Sequence, residues 1–317
     1  MPIITSRAGG SATSFGGLGA SVRAATPSSG YFAGGMNSFS SIERLNFALE
    51  TMSVLSATIP SGVSQGGGAA NNGVAGYLAG GSGNNSYSAS VKLIQKLTYA
   101  PETMSTLSAE LASPVAGTAA ANSSTAMYVA AGYDGINLTH LSRYDKLLFS
   151  TEARSTLSAT LSSNRYGHPA SAGPLAMYTP GGNTGGYTNS IEKLLFSTEA
   201  NSTLAAVLSN NVSANTAFSS STAMYSAGGY VPPNEINTID KITFSTDAKS
   251  TISATLSATL SGMAGVSSTT SGYIGGGGSY LTKVDKLLFS TETRSTLAAV
   301  LNTGRSYFAT MANTAGA

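Results

Sequence analysis

One kind of segment occurs six times along these 317 residues, and that repetition limits the fold more than any other feature of the chain. The copies are FALETMSVLSATI (47–59), YAPETMSTLSAEL (99–111), FSTEARSTLSATL (149–161), FSTEANSTLAAVL (196–208), FSTDAKSTISATL (244–256) and FSTETRSTLAAVL (289–301). Each follows a short segment, SIERLN, LIQKLT, RYDKLL, SIEKLL, TIDKIT or KVDKLL. Further upstream stands a Tyr-small-Gly segment: GYFAGG (30–35), GYLAGG (76–81), MYVAAG (127–132), MYTPGG (177–182), MYSAGG (224–229) or GYIGGG (272–277). A period of roughly 45–52 residues, punctuated by Gly and lacking helical periodicity, points to a propeller or solenoid. In 149–161, Leu157, Ala159 and Leu161 alternate with Thr156, Ser158 and Thr160, as a pleated strand requires. Four short antiparallel strands per unit, termed a to d, make a propeller blade when units stack radially.

Spacing within the units separates frame from surface. The intervals Phe47 to Tyr77, Tyr99 to Tyr128, Phe149 to Tyr178, Phe196 to Tyr225 and Phe244 to Tyr273 are the same to within a single position. The interval from the strand-b tyrosine to the strand-c aromatic varies far more. It is shortest from Tyr31 to Phe47 and from Tyr273 to Phe289, and longest from Tyr77 to Tyr99. Length variation therefore sits in the b–c connection, which shares one face of a blade with the d–a connection, and a variable loop face on a constant frame suits recognition. Counted from Phe289, a further strand b would begin just beyond Ala317, so residues 304–317 form a strand a without a successor. The first unit has only a weak strand-a candidate before it, and residues 304–317 are expected to supply that strand. The expectation is a six-bladed all-β propeller over 30–317 with a Gly/Ser-rich arm at 1–29. A seven-bladed ring is the alternative, and the arm has no Asp/Glu-Lys-Leu-x-Phe segment to build it.

Composition narrows the function. Only 9% of residues are charged, against roughly 25% in ordinary soluble domains. A net charge of +2 without a Lys/Arg cluster leaves no footprint for nucleic acid. No cysteine is present, which removes thiolate metal sites and cysteine nucleophiles. The start lacks the basic and apolar regions of a secretion signal, and no run reaches the roughly 18 apolar residues of a membrane span.

The acids repeat with the blades. Glu50, Glu102, Glu152, Glu199, Asp247 and Glu292 follow the strand-c aromatic by three positions, while Glu43, Gln95, Asp145, Glu192, Asp240 and Asp285 precede it by four. A catalytic carboxylate needs a singular environment, and a residue repeated in every blade has six similar ones. The turn acids are expected to accept from N–H groups of their own c–d turn or from the following serine hydroxyl. The strand-c Asp/Glu-Lys pairs either bridge neighbouring blades or lie on a solvated edge. Asp134 and His140 share a long b–c loop but supply too few ligands for a metal, and His168 has no acid or nucleophile nearby in sequence. No catalytic set, cofactor site or metal site is expected. One aromatic stands in each b–c loop: Phe39, Tyr87, Tyr133, Tyr187, Tyr230 and Tyr280. Flanked by Asn and Ser, they are the candidate binding face, suited to a glycan or a protein partner.

The Tyr-x-x-Gly-Gly strands followed by Asp/Glu-Lys-Leu-x-Phe strands resemble kelch repeats over residues 30–317. They depart where kelch units carry Trp in the fourth strand, since that position reads Leu55, Leu107, Leu157, Leu204, Ile252 and Leu297. The opening MPIITSRAGGSATSFGGLG and the degenerate repeats resemble structural proteins of tailed bacteriophages, tail or fibre components above all. That resemblance implies a non-enzymatic virion protein in a multi-subunit assembly. Residues 1–29 would dock other virion proteins, and the loop face would meet a host-surface glycan or protein. The alternative is a cellular, cytoplasmic kelch-like adaptor or lectin using the same face.

Overall fold

The computed structural model describes residues 28–36, 40–60, 66–83 and 86–313. Residues 1–27 of the expected arm therefore lie outside the described residues. The strands form six separate four-stranded antiparallel sheets, and their order gives a six-bladed β-propeller. Blade 1 runs β24 (Ala309–Asn313), β1 (Ser29–Ala33), β2 (Ser41–Asn46), β3 (Thr51–Thr58). Blade 2 is β4 (Gly68–Asn71), β5 (Ala75–Ala79), β6 (Val91–Thr98), β7 (Thr103–Val115); blade 3 is β8 (Ala119–Asn122), β9 (Ala126–Asp134), β10 (Thr139–Leu148), β11 (Arg154–Arg165). Blade 4 is β12 (Ser171–Ala172), β13 (Ala176–Pro180), β14 (Ile191–Leu195), β15 (Asn201–Thr203). Blade 5 is β16 (Thr216–Ser219), β17 (Ala223–Val231), β18 (Asn234–Thr243), β19 (Ala248–Thr251), and blade 6 is β20 (Ala264–Ser267), β21 (Ser271–Gly275), β22 (Val284–Leu288), β23 (Thr293–Thr296). The first strand of each set is strand a, at the axis. The ring closes as the repeat spacing implies: β24 pairs antiparallel with β1, from Ser29 opposite Asn313 to Ala33 opposite Ala309.

Strand b is buried along its whole length in blades 1, 2, 4 and 6, and over its first seven residues in blades 3 and 5, so its tyrosine must find partners between blades. Each one stacks on the strand-c aromatic of the next blade. The pairs are Tyr31–Tyr99, Tyr77–Phe149, Tyr128–Phe196, Tyr178–Phe244, Tyr225–Phe289 and Tyr273–Phe47, with centroids 5.0–5.4 Å apart and planes 11–30° from parallel. In blade 6 the residue before this tyrosine is Gly272, and a Cβ there would lie 2.2 Å from the Phe218 ring, which stacks in the same column on Tyr225.

The turn acids complete this seam, and here the structure departs from the sequence reading. Instead of turning onto its own loop, each acid reaches back to the preceding blade. Arg44 binds Glu102 at 2.7 Å, Lys96 binds Glu152 at 2.6 Å, Lys193 binds Asp247 at 2.7 Å and Lys241 binds Glu292 at 2.5 Å. Lys146–Glu199 and Lys286–Glu50 close the cycle. In five seams the stacked tyrosine donates its hydroxyl to the same carboxylate: Tyr31, Tyr77, Tyr128, Tyr178 and Tyr225, at 3.0–3.4 Å. All six acids have φ between 50° and 63°, a left-handed conformation that costs about 1–2 kcal/mol for a residue other than Gly. Glycine would suit that backbone better, so the carboxylate is what the position requires. These ion pairs are partly exposed and contribute about 0–1 kcal/mol each. An aromatic pair contributes about 0.5–1.5 kcal/mol beyond its burial. Stacking thus carries most of the seam's strength, and the ion pair sets its register.

The strand-c acids make a second seam to the same preceding blade. Asp145 accepts from the Ala112 N–H, Glu192 from Ser162, Asp240 from Ser209, Asp285 from Ser257 and Glu43 from Asn302, all on strand d or its extension in the preceding blade. Each donor follows its own strand-c aromatic at one fixed interval, as Ala112 follows Tyr99 and Ser162 follows Phe149. In blade 1 the same interval from Phe47 leads to Pro60, which has no N–H. The residue facing it is Gln95, the one amide in the column, whose Nε2 donates to the Pro60 carbonyl at 3.5 Å. Glutamate appears where the arginine is fully buried, whereas Asp145 and Asp285 meet partly exposed arginines, Arg143, Arg154 and Arg294. Arg165–Glu192 (3.1 Å) and Arg305–Glu43 (2.5 Å) are ion pairs with side chains at most 1% exposed. Both arginines also donate to strand-b end carbonyls, of Gly181 and Gly34, which helps compensate for desolvation.

Replacing Gln95 by Glu would set a buried carboxylate against a proline. We predict a loss of about 1–3 kcal/mol in urea unfolding. The penalty should shrink in a Pro60→Ala background, where residue 60 regains its N–H. Strictly additive effects would contradict this pairing.

Candidate functional site

The propeller offers two concave places: the axial cavity and the loop face. The cavity, of about 900 Å³, is walled by the six inner strands. Several of its polar groups are turned onto the wall itself. Thr310 donates to the Gly265 carbonyl at 2.6 Å, Ser219 to Ala172 at 2.9 Å, and the Asn122 side chain accepts from the Asn71 N–H at 3.2 Å. At the loop end the cavity narrows at a collar of backbone. Gly66 donates to Tyr307, Gly167 to Gly117, Ala214 to Gly167, Gly262 to Ala214 and Tyr307 to Gly262, at 2.7–2.8 Å. The Thr118 N–H completes the circuit to Gly66 at 3.2 Å.

Tyrosines stand over this collar. Tyr87 and Tyr187 lie on b–c connections, whereas Tyr133 and Tyr230, expected in loops, fall within the extended ends of β9 and β17; the four meet across blades. Tyr87 and Tyr133 are 6.0 Å apart by centroid, and Tyr187 meets Tyr230 edge-on at 5.8 Å. Two tyrosines of the d–a connections, Tyr166 and Tyr307, bring these pairs toward the axis. Tyr166 contacts Tyr87 edge-on at 5.7 Å and Tyr133 at 6.0 Å, with His140 beside it at 4.5 Å. Burial raises the hydroxyl pKa of Tyr87, with further contributions from Tyr307 and Tyr166; it raises that of Tyr166, with Tyr187 and Tyr133 adding. The phenols therefore stay protonated and serve as neutral donors and acceptors. Tyr280 is 39% exposed on the same face, outside these ring contacts. Phe39 lies outside the described residues.

Backbone conformation singles out two of these tyrosines. In the collar, Gly66, Gly117, Gly167, Ala214 and Gly262 all have positive φ, as small residues allow; the sixth member is Tyr307, at φ 52°. Tyr280 sits at φ 62°. A bulky residue held left-handed costs about 1–3 kcal/mol and clusters at functional sites. Tyr166 and Tyr307 escaped the sequence reading because their repeat mates are mostly small residues. The available signal was Tyr307 breaking a Gly/Ala column. At the same interval after the strand-c aromatic stand Gly117, Gly167, Ala214 and Gly262.

Asp134 and His168, singled out in the sequence, sit away from the tyrosine cluster's ring contacts. Asp134 is buried at the tip of the blade 3 hairpin. Burial pushes its carboxyl upward, but the Asn137 N–H and side-chain amide and the Ile136 N–H outweigh it, leaving the pKa lowered. Among the described residues, no group of three or more His, Cys, Asp or Glu could hold a metal ion. His168 is 4% exposed at the start of blade 4, where burial, then Arg165, pull its pKa down to about 3, against the backbone of Ala130 and Tyr166. The native histidine stays neutral where the unfolded chain, with a pKa of about 6.5, takes up a proton. Stability must therefore fall as pH drops from about 6.5 toward 3, by up to about 1.4 kcal/mol per unit. His168→Asn, matching Asn215 at the same place in blade 5, should flatten the unfolding free energy between about pH 6 and 5. An unchanged slope would assign the acid sensitivity elsewhere.

No family model matches the chain and no curated protein does either, so the seams and the tyrosine cluster carry the functional reading.

Proposed function

We propose that this chain is a non-enzymatic recognition propeller, a structural component of a tailed-phage virion that docks through residues 1–29 and presents its loop face to a host or partner surface. The observation that carries the reading is polarity. Ser28 and Asn313 sit together on the turn face: the Ser28 carbonyl accepts from Phe47 at 3.1 Å, and Asn313 pairs with Ser29. The tyrosines occupy the opposite face, so attachment at residues 1–29 and binding at the loops would not compete for one surface. The kelch-like strand motifs and the phage-like opening support the setting, and the use of the repeated carboxylates in seams supports a non-catalytic role.

Flanking genes encoding capsid or tail proteins would agree with this. Deleting residues 2–29 should leave the propeller folded while abolishing its incorporation into particles. Normal incorporation of the truncated chain would contradict the docking role. Tyr187→Ala with Tyr230→Ala should leave incorporation intact and reduce adsorption to host cells, and full adsorption by that variant would contradict the face assignment.

A further inference from the structure

We infer that the loop face binds an uncharged carbohydrate, with a sugar ring seated over the axial collar against Tyr307 and reached by the hydroxyls of Tyr87, Tyr166 and Tyr187. This deepens the recognition reading above and rests on it.

Three observations converge. Tyr307 holds a left-handed backbone at a position that is glycine in four other blades and alanine in the fifth. Its ring lies against Gly262, where a Cβ would come within 2.9 Å of it. A backbone that accepts strain to place one aromatic ring at the axis implies that the ring is used there.

The second observation is the hydroxyl grouping. The Tyr166 ring lies 5.7 Å from Tyr87 and 6.0 Å from Tyr133, Tyr187 lies 5.8 Å from Tyr230, and burial, with Tyr187 and Tyr166 adding, raises the Tyr307 hydroxyl pKa. Asn183 adds an amide, its Nδ2 donating to the Tyr166 hydroxyl at 3.4 Å. Aromatic faces beside neutral donors and acceptors match a pyranose, which presents C–H groups on its faces and hydroxyls around its edge.

The third is charge. Arg165 is buried against Glu192, Lys92 is paired with Glu110, and His140 is shifted toward neutrality by burial. Lys283 stands exposed at the rim, just before β22, and Glu235 accepts from the Ser261 hydroxyl at 2.6 Å. Among the described residues over the collar, a sulfated, phosphorylated or sialylated ligand would meet phenols rather than a guanidinium or ammonium group. In the axial cavity Thr310, Ser219 and Asn122 are bonded to its own walls, and its lining holds only two tyrosines, Tyr87 and Tyr307, both of the collar end.

The test is calorimetry and saturation-transfer NMR on the intact chain. The probes are maltohexaose, mannohexaose, cellohexaose and N-acetylchitohexaose, set against heparan sulfate hexasaccharide and sialyllactose. At least one neutral oligosaccharide should bind, with neither charged probe binding more tightly. Tyr307→Gly, which adopts the residue of four other blades, should keep or raise the melting temperature and weaken binding at least tenfold. Tyr307→Phe, which keeps the ring, should weaken it less. Binding only by charged probes, no binding by any neutral probe, or binding unchanged in Tyr307→Gly would each overturn the carbohydrate assignment. Adsorption lost in the Tyr187/Tyr230 double variant, with every sugar negative, would overturn it too while leaving the recognition reading standing with a protein ligand.

Discussion

A tyrosine on strand b, stacked on the next blade's aromatic ring and sharing that blade's turn carboxylate with a lysine or arginine, is the contact on which this ring depends. Five blade junctions carry it in full, and at the sixth Tyr273 stacks on Phe47 while Lys286 binds Glu50. A blade alone has one buried face too many; strand b, buried from end to end in blades 1, 2, 4 and 6, cannot exist without neighbours. The seam solves this twice over at each junction, since strand-c acids reach back for N–H groups on the preceding blade and turn acids reach back for its cations. Weak, partly exposed ion pairs then suffice, because the stacked aromatics and the apolar clusters beneath them carry the larger share of the free energy.

Much of this was legible in the sequence, and the limits are instructive. Repeat spacing located the blades and the closure by residues 304–317, because a fixed interval between Phe and Tyr reflects a fixed path through the frame. That the turn acids were scaffold followed from their repetition, but their partners did not. Glu152 and Lys96 stand 56 residues apart, and only the radial stacking of blades brings them together. The departures from the repeat proved more informative than its regularity. Gln95 in a column of acids answers Pro60 in a column of N–H donors. Glu43 and Glu192 among aspartates answer Arg305 and Arg165.

The site follows the same logic. Tyr87, Tyr133, Tyr187 and Tyr230 were visible because loop lengths vary on their face, yet as isolated loop residues they suggested a ring of separate aromatics. The structure instead gathers them into two groups, joined toward the axis by Tyr166. Tyr307 was hidden in the most regular part of the frame, the small-residue corner between strands d and a. A frame that uses most of its repeated charges to hold blades together leaves the tyrosines as the chief aromatic chemistry of the loop face. With Ser28 and Asn313 on one face and tyrosines on the other, docking through residues 1–29, as proposed, would leave the loop face clear.

Native-state hydrogen exchange on the intact chain and on Glu292→Ala, which cuts the seam between blades 5 and 6, tests the central claim most directly. If the seams make the six blades one cooperative ring, the strand-b amides of Tyr31, Tyr77, Tyr128, Tyr178, Tyr225 and Tyr273 will share one opening free energy, and the substitution will lower all six by the same amount. Loss of protection confined to blades 5 and 6 would show that the blades open independently and would contradict the account.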